Sequence, residues 1–128
     1  IATARGQGMM ALVGGTIDRW FSETYQKASK SEVDKIRAMI LATPVNGYCG
    51  CSHAIMQLDV TERISAITVP TLVLWGVHDP WQPITDGERL AEEIPNARLV
   101  RLENASHWLQ HDAPDAFARN VLAFIAAT

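Results

Sequence analysis

The clearest candidates for chemistry are a carboxylate and an imidazole, each of which follows a predicted strand. Asp79 comes shortly after the apolar run 71–75, and His107 comes shortly after the run 97–102. A carboxylate that accepts a hydrogen bond from one histidine nitrogen sets the ring tautomer, so that the other nitrogen can take a proton from a hydroxyl. The chain order, acid and then histidine, therefore supplies two of the three groups of a Ser-His-Asp hydrolytic triad.

Each of these residues also has a plainer interpretation. Asp79 precedes Pro80, and Asp-Pro is a common turn pair, while His107 could simply pack in its loop beside Trp108. We favour the catalytic interpretation because the loops that leave the carboxyl ends of parallel strands open on one edge of the sheet. The sequence therefore predicts that Asp79 and His107 lie close together.

The remaining histidines are weaker candidates. His53 and His78 do not follow a strand in this way. His107 and His111 have the spacing of two metal ligands on a helix, but no third ligand accompanies them. We expect neither a metal nor an organic cofactor.

A nucleophile for this pair is harder to find. Residues 50–54 read Gly-Cys-Ser-His-Ala, which is close to the Gly-x-Ser-x-Gly elbow of serine hydrolases. That elbow needs a buried strand before the serine, whereas residues 43–47 are turn-like. We therefore expect Ser52 to be a serine of a helical region, and the attacking serine to lie outside this chain.

Residues 1–60 read as a helical lid subdomain without strands. Helical spacing predicts three apolar stripes: Met10, Val13, Ile17, Trp20 and Phe21; then Val33, Ile36, Met39 and Ile40; then Tyr48, Ile55, Met56 and Leu58. Ser31 and Asn46 are the predicted N-caps of the second and third helices. Gly14 and Gly15 weaken the first helix, since each costs about 1 kcal/mol relative to alanine.

Residues 61–128 read as strand, helix, strand, helix, which is the crossover unit of an α/β sheet. The strands are predicted at 71–75 and 97–102, with helices at 85–94 and from Pro114 onward. Two strands alone are marginally stable, and both look built for burial on two faces. We therefore expect flanking strands, supplied by a missing N-terminal half or by a second copy of the chain.

Composition excludes several classes of partner. The net charge of -3 and the lack of a basic cluster argue against nucleic acid, and no apolar run approaches the ~20 residues of a membrane helix. Residues 1–5 resemble no signal peptide and read as a cut into a longer protein. Cys49 and Cys51 are too close for an unstrained bridge, so we expect free thiols in a reducing, cytoplasmic compartment.

The chain resembles the α/β-hydrolases from their lid to their C-terminus. Residues 70–76 with His78-Asp79-Pro80 resemble the late strand and acid loop of that family, and residues 97–100 with Ala105-Ser106-His107-Trp108 resemble its last strand and histidine loop. In the lid, residues 8–12, 19–21, 37–44 and 47–51 resemble 3-oxoadipate enol-lactonases. The family's elbow, oxyanion-hole loop and early strands have no counterpart here.

The resemblance implies the C-terminal portion of an α/β-hydrolase, with Asp79 and His107 as the acid and histidine of the triad. The intact enzyme would hydrolyse a small carboxylated lactone or ester, and this chain alone would be inactive. Trp20 and Trp108 are candidate walls of the substrate pocket, with core packing as the alternative. The rival functions are a carbon–carbon bond hydrolase or esterase of the same fold, and a non-catalytic fragment that associates through its lid or sheet edge.

Overall fold

The computed structural model describes all residues, 1–128, as helices followed by a small α/β unit. Before the first strand lie five α-helices and a 3-10 helix: α1 (Ala2–Gln7), α2 (Met10–Trp20), α3 (Glu23–Ala28), α4 (Lys30–Ala42), α5 (Val45–Gln57) and the 3-10 helix Thr61–Ala66. The remainder is β1 (Thr71–Gly76), α6 (Ile84–Glu93), β2 (Ala97–Leu102), α7 (Leu109–Asp112) and α8 (Pro114–Ala127). The chain thus has no strand before residue 71.

The sheet consists of β1 and β2, which pair in parallel from Thr71 opposite Ala97 to Gly76 opposite Leu102. Helix α6 connects them and packs closely on β1, because a Cβ added at Gly87 would lie 2.8 Å from the Trp75 ring. The predicted order of strand, helix, strand and helix is confirmed. The carboxyl ends of both strands reach the same edge, as parallel pairing requires.

The main apolar core lies among the helices that precede the sheet. Its eight buried members are Ala4, Met9, Val13, Ile17, Phe21, Val33, Ile40 and Cys49. The predicted stripes are right at their centres and wrong at their edges, because Met10 and Met39 are exposed and Met9 is buried instead. In the third helix Tyr48 packs against the core, whereas Ile55 and Met56 are exposed, as is Leu58 just beyond the end of the helix.

Both predicted N-caps were wrong. Ser31 and Asn46 lie inside α4 and α5, whose N-cap positions are Ser29 and Pro44 and make no side-chain cap bond. The side-chain cap in this region is at Ser22, whose Oγ accepts from the Tyr25 N–H at 3.1 Å and begins the unpredicted helix α3. Gly14 and Gly15 do not interrupt α2, which is continuous.

The cysteines and the lengths of the helices bear on two further predictions. Cys49 and Cys51 are both free thiols, as predicted, with Cys49 buried. None of the helices is both long enough and apolar enough to cross a membrane. The division of the chain near residue 60 into a lid and a core portion stays a prediction.

Candidate active site

Gly76 brings the two loops at the carboxyl edge of the sheet together. A Cβ at this position would lie 2.6 Å from the Ala105 carbonyl oxygen and closer still to that of Ser106. The approach lets the His78 N–H donate to the Ala105 oxygen at 3.0 Å, which joins the loop after β1 to the loop after β2. Glycine is therefore required here by backbone packing, in addition to ending the strand.

The Asp79 carboxylate uses its two oxygens for different purposes. Oδ1 accepts the backbone N–H groups of Trp81 and Gln82, at 2.8 and 3.0 Å, and so closes a turn. Oδ2 lies 2.8 Å from Nδ1 of His107. The turn-forming and histidine-binding interpretations of Asp79 therefore both hold, one for each oxygen.

Residues of β1 also hold the loop that carries Asp79. The indole N–H of Trp75, in β1, donates to the Gln82 carbonyl at 3.0 Å. The Asp79 N–H donates to the Gly76 carbonyl at 3.2 Å. These bonds hold the Asp79 loop, and with it the carboxylate, in one orientation relative to the sheet.

The His107 imidazole is oriented by one nitrogen and free at the other. With Nδ1 directed to Asp79, Nε2 has no hydrogen-bond partner in the chain. The side chain of His107 is 23% exposed, while that of Asp79 is 6% exposed. A cavity of about 190 Å³ borders both residues and leaves space for a reacting group. Nε2 is therefore the ring nitrogen that a reacting group in this cavity could reach.

The proposed pocket walls, Trp20 and Trp108, stack on each other, with ring centroids 4.4 Å apart and planes 12° from parallel. The Trp108 N–H also donates to the Trp20 carbonyl at 2.9 Å. Both rings are partly buried against the helical core. Trp20 in addition borders a mostly apolar cavity of about 160 Å³ among the helices. Their contact with a substrate stays a prediction.

Ser52 does not have the geometry of an elbow serine. It lies in the middle of α5, and its Oγ donates to the Tyr48 carbonyl four residues earlier, at 2.9 Å. An elbow requires a strained turn between a strand and a helix. The structure therefore agrees with the interpretation of Ser52 as a helical serine.

The His111 side chain packs among aromatic side chains. Its ring stacks on Trp108, with centroids 5.2 Å apart, and its Nδ1 lies 3.2 Å from the Tyr25 hydroxyl. No group of three or more His, Cys, Asp or Glu side chains in the chain could hold a metal ion. The spacing of His107 and His111 reflects packing.

Several contacts in the neighbourhood of His107 were not predicted from the sequence. The Trp81 ring lies 5.5 Å from the His107 ring, and the Arg19 guanidinium lies 4.8 Å above the centre of Trp81. On the other side, Asp112 binds both Ser22 and Ser106. The only sequence signal for this region was the capping residue Ser22, because nothing local distinguishes Asp112 from a surface acid.

The sequence profile described as the alpha/beta hydrolase fold matches residues 9–114, which is most of the chain. The chain belongs to the α/β-hydrolase family. The two parallel strands, with the helices before them, correspond to a C-terminal portion of this fold, as the sequence predicted.

Relatives of this α/β-hydrolase chain include enzymes of known activity. It is 30% identical over 118 residues to 3-oxoadipate enol-lactonase 1 of Acinetobacter baylyi, covering 92% of the chain and 44% of the relative. It is 40% identical over 67 residues to a 2-hydroxy-6-oxononadienedioate/2-hydroxy-6-oxononatrienedioate hydrolase of Cupriavidus pinatubonensis, covering 52% of the chain and 23% of that relative.

The chain is also similar to an enol-lactonase of known structure. The enol-lactonase from Burkholderia xenovorans superimposes with a TM-score of 0.93 at 34% identity, over 98% of this chain and 48% of that enzyme. The α/β-hydrolase chain thus spans about half the length of the relatives it matches.

Proposed function

We propose that this chain supplies the acid and the histidine of a Ser-His-Asp triad in a hydrolase that opens a small carboxylated lactone or ester. The observation that carries the proposal is the 2.8 Å contact between Asp79 Oδ2 and His107 Nδ1, with Nε2 left free. Its support from relatives is the similarity to 3-oxoadipate enol-lactonases over nearly the whole chain.

The proposed mechanism assigns the proton transfers of both hydrolytic steps to His107. A serine supplied by a segment outside it attacks the lactone carbonyl, and His107 Nε2 accepts the serine proton while Asp79 stabilises the imidazolium. The imidazolium then gives this proton to the oxygen that leaves as the acyl-enzyme forms. The same nitrogen, free again, takes a proton from the water that attacks the acyl-enzyme and returns it to the serine oxygen as the acid is released. Backbone amides outside the chain hold the oxyanion, at about 3–4 kcal/mol per donor. No step requires a metal or organic cofactor.

The complete enzyme requires the partner segment that the sequence predicted. We propose that an N-terminal half supplies the serine and the neighbouring strands. Exposed apolar side chains in the segment between α5 and β1 support this proposal, including Leu58, Ile67 and Val69. A second copy of the chain is the alternative partner.

A carbon–carbon bond hydrolase is the second candidate function. Its specific support is the higher identity, 40%, to a 2-hydroxy-6-oxononadienedioate hydrolase, although over only 67 residues. The same histidine and acid serve either reaction, so the pair does not distinguish them. The two functions are distinguished by measuring turnover of the enol-lactone of 3-oxoadipate and turnover of the oxononadienedioate substrate.

The test of the proposal is a hybrid enzyme. The N-terminal segment of the Acinetobacter baylyi enol-lactonase is fused to residue 1, and turnover is measured with the enol-lactone, the oxononadienedioate and a simple aryl ester. We expect His107→Ala to lower kcat/KM by about 10⁴–10⁶-fold, because the serine loses its base. His78→Ala is the control, since His78 is exposed in the adjacent loop.

Two results would contradict the proposal. Wild-type turnover in His107→Ala would remove His107 from the mechanism. Covalent labelling of Ser52 in the 128-residue chain by a serine-directed phosphonate would show that the chain contains its own nucleophile.

A further inference from the structure

The Asp112 carboxylate, in α7, connects the helical region to the loop that carries His107. Its Oδ1 accepts from the N–H and the hydroxyl of Ser22, at 3.3 and 2.8 Å. Its Oδ2 accepts from the Ser106 N–H at 2.9 Å and from the Ser106 hydroxyl. Ser22 caps α3, whereas Ser106 directly precedes His107, so one side chain joins segments more than 80 residues apart.

The Ser106 hydroxyl and N–H depend on the Asp112 carboxylate as their acceptor. The Ser106 Oγ also lies 3.0 Å from the Trp20 carbonyl, but a hydroxyl has a single proton to donate. The Trp20 oxygen already accepts the Trp108 N–H at 2.9 Å, whereas each Asp112 oxygen has only serine donors. Ser106 is 3% exposed, so water cannot readily replace Asp112 as the partner of its N–H.

We propose that Asp112 is a positioning residue for His107. By fixing the peptide N–H of Ser106 against the capped start of α3, it holds the histidine loop at the distance that keeps the imidazole on Asp79. The proposal rests on the proposed function of His107. It adds that the helices before the sheet help to hold His107 in position. A single carboxylate thereby links the packing of α3 to the orientation of the His107 imidazole.

An asparagine cannot perform this role, although it has nearly the same shape. Each carboxylate oxygen faces one backbone N–H, from Ser22 or from Ser106. A hydroxyl can rotate to accept from an amide nitrogen, but a backbone N–H cannot. Whichever way the amide of Asp112→Asn turns, its NH₂ group opposes one of these N–H groups and breaks that bond.

The experiment uses the full 128-residue chain labelled with ¹⁵N-histidine. In the wild type we expect the His107 ring to show a protected, low-field Nδ1–H resonance and the Nδ1–H tautomer. Asp112→Asn is expected to abolish the protection of that proton while the far-UV circular dichroism stays unchanged. The matched control is Asp115→Asn, which changes an exposed acid in the first turn of α8 and should leave the resonance intact.

A second variant keeps the test decisive if Asp112→Asn does not fold. Ser22→Ala removes the hydroxyl donor to Oδ1, together with the side-chain cap of α3, and leaves both Ser106 bonds in place. We expect faster exchange of the His107 Nδ1 proton in this variant. An unchanged resonance in a folded Asp112→Asn, or in Ser22→Ala where the first variant unfolds, would overturn the proposal.

The hybrid enzyme provides a kinetic readout that separates positioning from general stability. A displacement of the base by about 1 Å costs roughly 100-fold in rate, so Asp112→Asn should lower kcat by about that factor with KM little changed. A change in KM alone would contradict the role. If the hybrid shows no turnover at all, the proposed function fails, and the resonance of His107 still decides the role of Asp112.

Discussion

At the scale of the residue, Asp79 shows how one side chain can perform two functions. Its Oδ1 closes a turn through the Trp81 and Gln82 N–H groups, and its Oδ2 contacts His107. The turn holds the carboxylate at a fixed angle, so that the second oxygen is presented to the imidazole without further reorganisation. Carboxylate orientation is thereby determined by backbone donors, which are insensitive to side-chain motion.

This arrangement predicts an unusual outcome for Asp79→Asn. The two backbone donors require an acceptor, so the amide oxygen should stay in the turn and the NH₂ group should face His107 Nδ1. His107 would then adopt the tautomer with its proton on Nε2, which cannot act as a base. In the hybrid enzyme we expect kcat to fall by about 10⁴-fold with little loss of stability.

The measurement combines kinetics with ¹⁵N spectra of the His107 ring. Asp86→Asn, an exposed acid in the first turn of α6, is the control. A variant that retains the Nδ1–H tautomer and full turnover would disprove this role of Asp79.

At the scale of the element, the site depends on how closely two loops approach at the end of β1. Gly76 ends that strand directly beneath the carbonyl groups of Ala105 and Ser106. The contact is with backbone, which cannot move aside as the end of a flexible side chain can. The position of the histidine loop is therefore set by the absence of a side chain in the preceding strand.

We expect Gly76→Ala to destabilise the chain by about 1–3 kcal/mol, because its methyl group overlaps two carbonyl groups and separates the loops. The free energy of unfolding is measured by urea denaturation. Gly14→Ala is the matched control: Gly14 lies in α2 with no atom within 4 Å of a built Cβ. That variant should stabilise the helix by about 0.5–1 kcal/mol, and equal effects of the two substitutions would refute the packing argument.

At the scale of the whole molecule, the chain has a small core and large apolar surfaces. Only 15 of 128 residues are buried, whereas Ile55, Met56 and Leu58 are each about 70% exposed, at 71%, 75% and 68%. The sheet contains only β1 and β2, which leaves a free edge on each strand. Exposed apolar side chains and unpaired strand edges favour association with another chain.

We expect size-exclusion chromatography of the isolated chain to show concentration-dependent self-association. Addition of the N-terminal segment of the Acinetobacter baylyi enol-lactonase should replace these species with a discrete one-to-one complex, because the proposed N-terminal half would cover the same surfaces. A monomer that is stable at every concentration and indifferent to the segment would argue against a missing half.

The sequence by itself determined the strands, the crossover helix, the loops that carry Asp79 and His107, and the absence of an elbow around Ser52. These features follow from apolar runs, turn residues and chain order, which are local properties. The tertiary structure alone decided the edges of the buried faces, as with Met9 in place of Met10, and brought Ser22 to Asp112 across 90 residues. Contacts of that kind depend on how helices pack, and packing arises from the sum of many distant side chains rather than from any short pattern.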